Sequence, residues 1–277
     1  MRNLFYFLVA VIALCFSCNG NGEQTAEAQQ DSIDSVIQDS ILTDSLDVVG
    51  QQLQNKRVDE FFDDFIFGFM KSRRQQLARI DFPLRHTVDG KTSYITRKQW
   101  RYDPMYSNQE VYTLVFADKR AMQVAKDTSL RNVIVEKLDI VRHYVWQYTF
   151  KRPKDQWRLQ AIDAHTFDQS ADRDFYNFYE RFATDEAYQK QHIASSFAFS
   201  TFDDENFERV EGTLEAVQWE DFRPELPTGE ITNIIYGKKQ RGSNTRILSI
   251  CGLSDGMSCN LTFKKRNGEW VLTQLDN

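Results

Sequence analysis

The chain has 277 residues, 41% of them hydrophobic and 13% aromatic, with a formal charge of −6. That length permits two ordinary domains, each with its own core, and the acidic balance leaves no basic footprint for nucleic acid. Four cysteines, at 15, 18, 251 and 259, exclude a disulfide-dense scaffold and a four-cysteine zinc site.

Residues 1–17 read as a secretory signal: Arg2, an apolar stretch from Leu4 to Phe16, then small Ser17. After this leader no apolar run approaches the roughly 20 residues that span a bilayer. The border at Cys18 resembles a bacterial lipoprotein signal, in which the cysteine after the cleaved bond is acylated and becomes the mature N-terminus. That pattern prefers leucine three residues before the cysteine; here Leu14 stands four before and Cys15 takes the slot. The alternative is an ordinary leader cleaved near Ser17, with Cys18 left as a thiol. Acylation implies a stable membrane anchor, each buried CH₂ contributing about 0.8 kcal/mol, and a place in the cell envelope, at the outer membrane facing the periplasm or exposed at the surface. Residues 18–56 follow as a tether. Between Asn19 and Gly50 there are seven acidic residues and no basic one, too little apolar surface to offset ordering. Ile33, Val36, Ile37, Ile41 and Leu42 nonetheless fall near helical spacing, so a transient amphipathic helix is the competing reading there.

The folded part contains an internal repeat. Phe62, Phe65, Phe69, Gln76 and Ile80 fall on Phe175, Phe178, Phe182, Gln189 and Ile193 at an offset of 113. Phe150, Trp157 and Asp163 fall on Phe263, Trp270 and Asp276 at the same offset. "EVYTLVF" (110–116) matches "EITNIIY" (230–236) at an offset of 120, so about seven extra residues precede that strand in the second copy, placed by the sequence in "VQWEDFRPELPTGE". A domain-sized period predicts two units, 57–166 and 172–277, rather than a solenoid. Each opens with a helix carrying a phenylalanine stripe at three- and four-residue spacing. Short β-like runs follow: "SYIT", "VYTLVF", "VIVEKLDIV", "YVWQYTF" and "WRLQAI", then "IIYGK", "RILSIC", "NLTFKK" and "WVLTQL". Helices first and then consecutive strands predict an α+β fold: in each unit, N-terminal helix or helices packed on a curved antiparallel sheet.

The F-x-x-F-x-x-x-F helix followed by antiparallel strands ending in "TFKR…W" resembles the cone-shaped nuclear transport factor 2-like fold. With its leader, its acidic tether and the "RIDFPL" segment (79–84), the chain resembles a family of Gram-negative, Bacteroidota-type lipoproteins that carry a domain of unknown function. The resemblance implies a hollow between sheet and helices, and brings no reaction and no catalytic residues.

Chemistry-bearing motifs are sparse. "GLSDG" (252–256) matches a nucleophile elbow in letters only, because strand-like segments flank it on both sides where the elbow needs a following helix. A three-residue loop there would set Cys251 opposite Cys259, within disulfide reach; a two-residue Asp-Gly turn would pair 251 with 260 and send the sulfurs to opposite faces. In an exported protein the oxidised pair is the expectation. His86, His143, His165 and His192 show no metal-ligand spacing, and neither metal nor cofactor is expected. His143 begins "HYVWQYTF", in which Tyr144, Trp146, Tyr148 and Phe150 share a face; His143, Tyr144 and Tyr148 are the candidate pocket residues. Gln76 with Gln189 and Asp163 with Asp276, each polar at the same place in both copies, predict hydrogen bonds that the fold needs twice. "GKKQRG" (237–242) reads as a solvated turn. The function expected is a lipid-anchored binding or interaction module without catalysis, for a small ligand or an envelope protein. The alternatives are an enzyme with an acid or base in one cone, and a glycan-binding module.

Overall fold

The computed structural model describes residues 59–203, 205–237, 243–254 and 256–277. The expected leader (1–17), Cys18, the expected tether and most of "GKKQRG" lie outside them.

The first opening helix, α1 (Phe62–Met70), buries Phe62, Phe65 and Phe69 along one stripe, and Asp63 and Asp64 complement its N-terminal dipole. A short α2 (Arg73–Arg79) starts at Ser72, whose hydroxyl accepts from the Gln75 amide. Then come β1 (Ile80–Val88), β2 (Lys91–Ile95), β3 (Val111–Phe116), α3 (Lys119–Val124), β4 (Asn132–Asp139), β5 (Tyr144–Lys151) and β6 (Arg158–Thr166). The second half repeats the plan: α4 (Arg173–Thr184), α5 (Glu186–Gln191), β7 (Ile193–Asp203), β8 (Glu208–Glu215), α6 (Trp219–Phe222), β9 (Glu230–Tyr236), β10 (Thr245–Gly252), β11 (Ser258–Arg266) and β12 (Glu269–Asp276).

These strands make two six-stranded sheets, β2-β1-β6-β5-β4-β9 and β8-β7-β12-β11-β10-β3. The α+β class holds, but the sheets are mixed. β1 runs parallel to β6, and β7 parallel to β12, because each leaves its helix pair heading the same way as the last strand of its half. The sheets also cut across the boundary expected between 166 and 172. β3, from the first half, closes the second sheet against β10, while β9, from the second half, closes the first against β4. The two exchanged strands are the pair "VYTLVF" and "ITNIIY". Where they cross, Thr113 Oγ1 donates to the Thr232 carbonyl (2.6 Å), and the Asn233 side-chain oxygen accepts from the Val115 amide (3.1 Å).

The aromatic stripes fill both lobes. Phe62 meets Trp157 at 5.1 Å and Phe69 meets Phe150 at 5.3 Å. In the second lobe Phe175 meets Trp270 at 5.3 Å and Phe182 meets Phe263 at 5.1 Å. Each such side chain contributes about 1.5–3 kcal/mol of burial. The exchange also joins the cores: Leu114, Phe116 and Ile247 of the second sheet pack with α1, while Leu138, Val145 and Ile231 of the first pack with α4.

At the β10–β11 hairpin the Gly252 amide donates to the Met257 carbonyl (2.8 Å). That register sets Cys251 opposite Ser258 and Cys259 opposite Ile250. The expected Cys251–Cys259 disulfide is therefore corrected: the connection is longer than three residues, the thiols point to opposite faces, and both are free. Ser254 follows β10 and leads to a strand, so no nucleophile elbow exists.

Candidate functional site: the cleft of the first lobe

Side chains alternate across the first sheet, and register alone groups those that face inward. Tyr148 lies opposite Ile162, and Ile162 opposite His86; one step outward, Trp146 lies opposite Ala164, and Ala164 opposite Val88. Phe150 closes the deep end of this face beneath α1. The outer end stays open as a cleft of about 410 Å³, walled by Trp146, Tyr148, Ile162 and His86 of the sheet and by residues 99–104 of the loop after β2.

That loop is held by Gln76, fully buried on α2. Its side-chain oxygen accepts from the Trp100 indole N–H (3.1 Å) and the Asp103 amide (3.1 Å), and its nitrogen donates to the Asp103 carbonyl (2.5 Å). Tyr102 donates to the Met70 carbonyl (2.6 Å), and the Arg73 guanidinium to the Trp100 carbonyl (3.1 Å). Asp103 is thus aimed into the cleft by a clamp on both sides of its peptide. One carboxylate oxygen accepts from the Met105 amide (2.8 Å), the other from the Tyr148 hydroxyl (2.5 Å). Burial, and then the Asp103 carboxylate, push the Tyr148 hydroxyl well above the usual tyrosine range. Tyr148 stays protonated and donates. No hydrogen bond ties the His86 imidazole to another described residue, and among the described residues no group of His, Cys, Asp and Glu could hold a metal.

The three residues expected to share a pocket separate. Tyr148 lines the cleft. Tyr144 stands at its outer end, its ring edge-on to Trp146 at 4.9 Å and its hydroxyl donating to Asp89 (3.1 Å). His143 sits in the turn before β5 at φ +54°. Its ring stacks on Phe167 and its Nε2 lies 2.9 Å from the Glu180 carboxylate on α4, facing the other lobe. The repeated polar residues behave as structure. Gln189 accepts from the Trp219 indole (2.7 Å) as Gln76 does from Trp100. Asp163 meets Arg85 at 2.9 Å, and Asp276 meets Arg209 at 3.1 Å.

A second cavity of about 300 Å³ lies where the strands cross, between Val115, Phe116, Val124, Leu130 and Tyr236. At its base Arg246 and Asp172 form a buried ion pair of 2.8 Å. Arg246 also donates to the Ser243 and Thr245 carbonyls, and the Asn233 amide binds Glu136 and Val115. These polar groups hold the lobes together, whereas His86, Asp103 and Trp146 face open space.

Asp103 was hidden in "QWRYDP", and a comparison with "QWEDFRP" would have found it. Trp100 and Trp219 occupy one structural position at an offset of 119, so six of the seven extra residues lie earlier than "VQWEDFRPELPTGE", in the longer β7–β8 hairpin. On that alignment Asp103 corresponds to Phe222.

Two six-stranded mixed sheets, each with an opening helix packed into its core, define an architecture of the nuclear transport factor 2-like class, and comparison bears this out. A crystal structure of an NTF2-like protein from Bacteroides fragilis NCTC 9343 superimposes with a TM-score of 0.73 at 34% sequence identity, covering 79% of this chain and 96% of that one. A search of curated proteins returned no match. Residues 38–277 match the family described as a domain of unknown function, DUF4348, and the chain belongs to that family.

Proposed function

We propose that this is a lipid-anchored cell-envelope protein, moored by Cys18 at the outer membrane facing the periplasm, whose two tandem units form a binding module without catalysis. On this reading the cleft of the first lobe receives a small ligand. The leader and tether of the sequence support the anchor. The tandem reading is supported by the repeat at offset 113, by the identical strand order of the two sheets, and by the matched Gln76–Trp100 and Gln189–Trp219 bonds.

The observation that carries the binding reading is the state of the Asp103–Tyr148 pair. Each Asp103 oxygen accepts one hydrogen bond, which fixes the carboxylate and leaves its remaining lone pairs as acceptors, and Tyr148 is held protonated. Such a pair presents fixed acceptors, which suits recognition better than proton transfer. The depths of both lobes beneath the opening helices are packed with Phe and Trp, and the first lobe's cleft opens at its mouth.

The enzyme reading keeps one point in its favour, the carboxylate and phenol lying 2.5 Å apart in a cleft. Two measurements test the proposal. Intact mass of the mature protein from membranes should show an acylated Cys18 and loss of residues 1–17. Screening of the full mature chain against small-molecule libraries should give saturable binding with no product formed; turnover that Asp103→Asn abolishes would overturn the non-catalytic reading.

A further inference from the structure

The second lobe is an internal control on the first. Positions related by the repeat offset occupy the same register in the two sheets: His86 corresponds to Phe199, Trp146 to Cys259 and Tyr148 to Leu261. Asp103 corresponds to Phe222 by its place after the clamped tryptophan. In the second lobe Phe199 and Phe222 close on each other at 5.2 Å. The fold therefore accepts an apolar set at all these points. Because the second lobe folds without the Asp103 carboxylate and the Tyr148 hydroxyl, the polar set of the first lobe answers a need other than folding.

Resting on the binding reading above, we infer that the first lobe's cleft takes a neutral saccharide of one or two rings, and that the second lobe's mouth takes none. The Asp103 carboxylate and the clamped loop offer acceptors to sugar hydroxyls, and His86 and Arg101 offer nitrogens from either side of the cleft. Trp146, braced edge-on by Tyr144, supplies an apolar wall for the C–H face of a ring. Asp103 and Arg101 carry opposite charges in one cleft, which selects against a strongly charged ligand of either sign. The volume of about 410 Å³ falls in the range of about 300–1,000 Å³ usual for small-ligand sites.

The test is calorimetric titration of the full mature chain in detergent with maltose, lactose, cellobiose and chitobiose. Saturable binding of at least one sugar is expected, at one site per chain. Asp103→Asn and Tyr148→Phe should each weaken it by about tenfold, the effect of losing one charge-assisted hydrogen bond, and Cys259→Ala in the second lobe should leave it unchanged. Tyr148→Phe keeps the ring, and the Leu at the matching place shows that the fold tolerates the loss of the hydroxyl, so circular dichroism should be unaltered. The saccharide assignment is overturned if no sugar saturates the protein, or if binding persists at wild-type strength in both variants. Binding of tetramethylammonium or acetate in place of sugar, sensitive to Asp103→Asn, would overturn the ligand class while leaving the binding module intact. Silence toward every probe would count against both.

Discussion

Glu136 offers the sharpest perturbation of the way the two lobes are joined. It is fully buried on β4, on the face of the first sheet away from the cleft. One oxygen accepts from the Tyr176 hydroxyl of α4 (2.8 Å) and from the Asn233 amide of β9 (2.7 Å); the other accepts from Gln147 of β5 (2.8 Å). Asn233 in turn reaches the Val115 amide of β3 in the second sheet. Glu136→Ala strands two buried donors, those of Tyr176 and Asn233, at about 1–3 kcal/mol each. The loss expected is therefore about 2–6 kcal/mol before any cavity term, a large part of the roughly 5–15 kcal/mol that holds a typical domain. Urea unfolding, followed by tryptophan fluorescence and by far-UV circular dichroism, measures it. Both probes should move together in one transition, since both lobes share the bonds being broken. A double-mutant cycle with Tyr176→Phe should return a coupling of at least about 1 kcal/mol. A cost below about 1 kcal/mol, or two separated transitions, would refute the reasoning.

Three further outcomes follow from the packing. Burial raises the Asp63 carboxyl above its ordinary value, outweighing the hydrogen bond it accepts from Tyr236; its stabilising share is present below the ordinary aspartate value and is lost as pH rises through the raised one. The stability of the native chain relative to Asp63→Asn should accordingly fall as pH rises above the ordinary aspartate value of 3.8 in urea titrations, and a flat difference would contradict the assignment. Burial also pushes the Cys259 thiol up to about 12, so iodoacetamide should label it slowly in the native protein. After unfolding without reductant, intact mass should show Cys251 and Cys259 both alkylated; a requirement for reductant would restore the disulfide. Gln189→Leu leaves the buried Trp219 indole without its acceptor, at about 1–3 kcal/mol; a melting point lowered by several degrees is expected, with a similar drop for Gln76→Leu.

Periodicity made the opening helices and most strands legible, because the Phe stripes and the alternating β runs each bury one face. By contrast, α3 and α6 interrupt strands that were expected to follow one another directly, α3 burying no residue and so leaving no apolar stripe to read. β1, β7 and β8 were harder to read. β1 begins where α2 ends and contains Pro83 at a register shift, and β8 is an edge strand exposed along nearly all its length, so neither carries a clean alternation. The exchange of β3 and β9 left no local signal at all. Either strand fits either sheet by composition, and only the path of the chain through α3 decides which one it joins. The disulfide expectation failed on the length of one connection. Tyr148 was visible as a polar handle on a core face. Asp103 sat in a loop whose aim is set by a buried glutamine distant in sequence, and His143 left the cleft because a left-handed turn swings it toward α4.

The central claim is that ligand capture belongs to the polar mouth of the first lobe. A crystal structure of the chain soaked with the tightest-binding sugar tests it most directly. Density against Trp146, within hydrogen-bonding distance of Asp103, and none at the Phe199–Phe222 mouth is the result expected. Density at the second mouth or in the cavity at the strand crossing, with the first cleft empty, would contradict it.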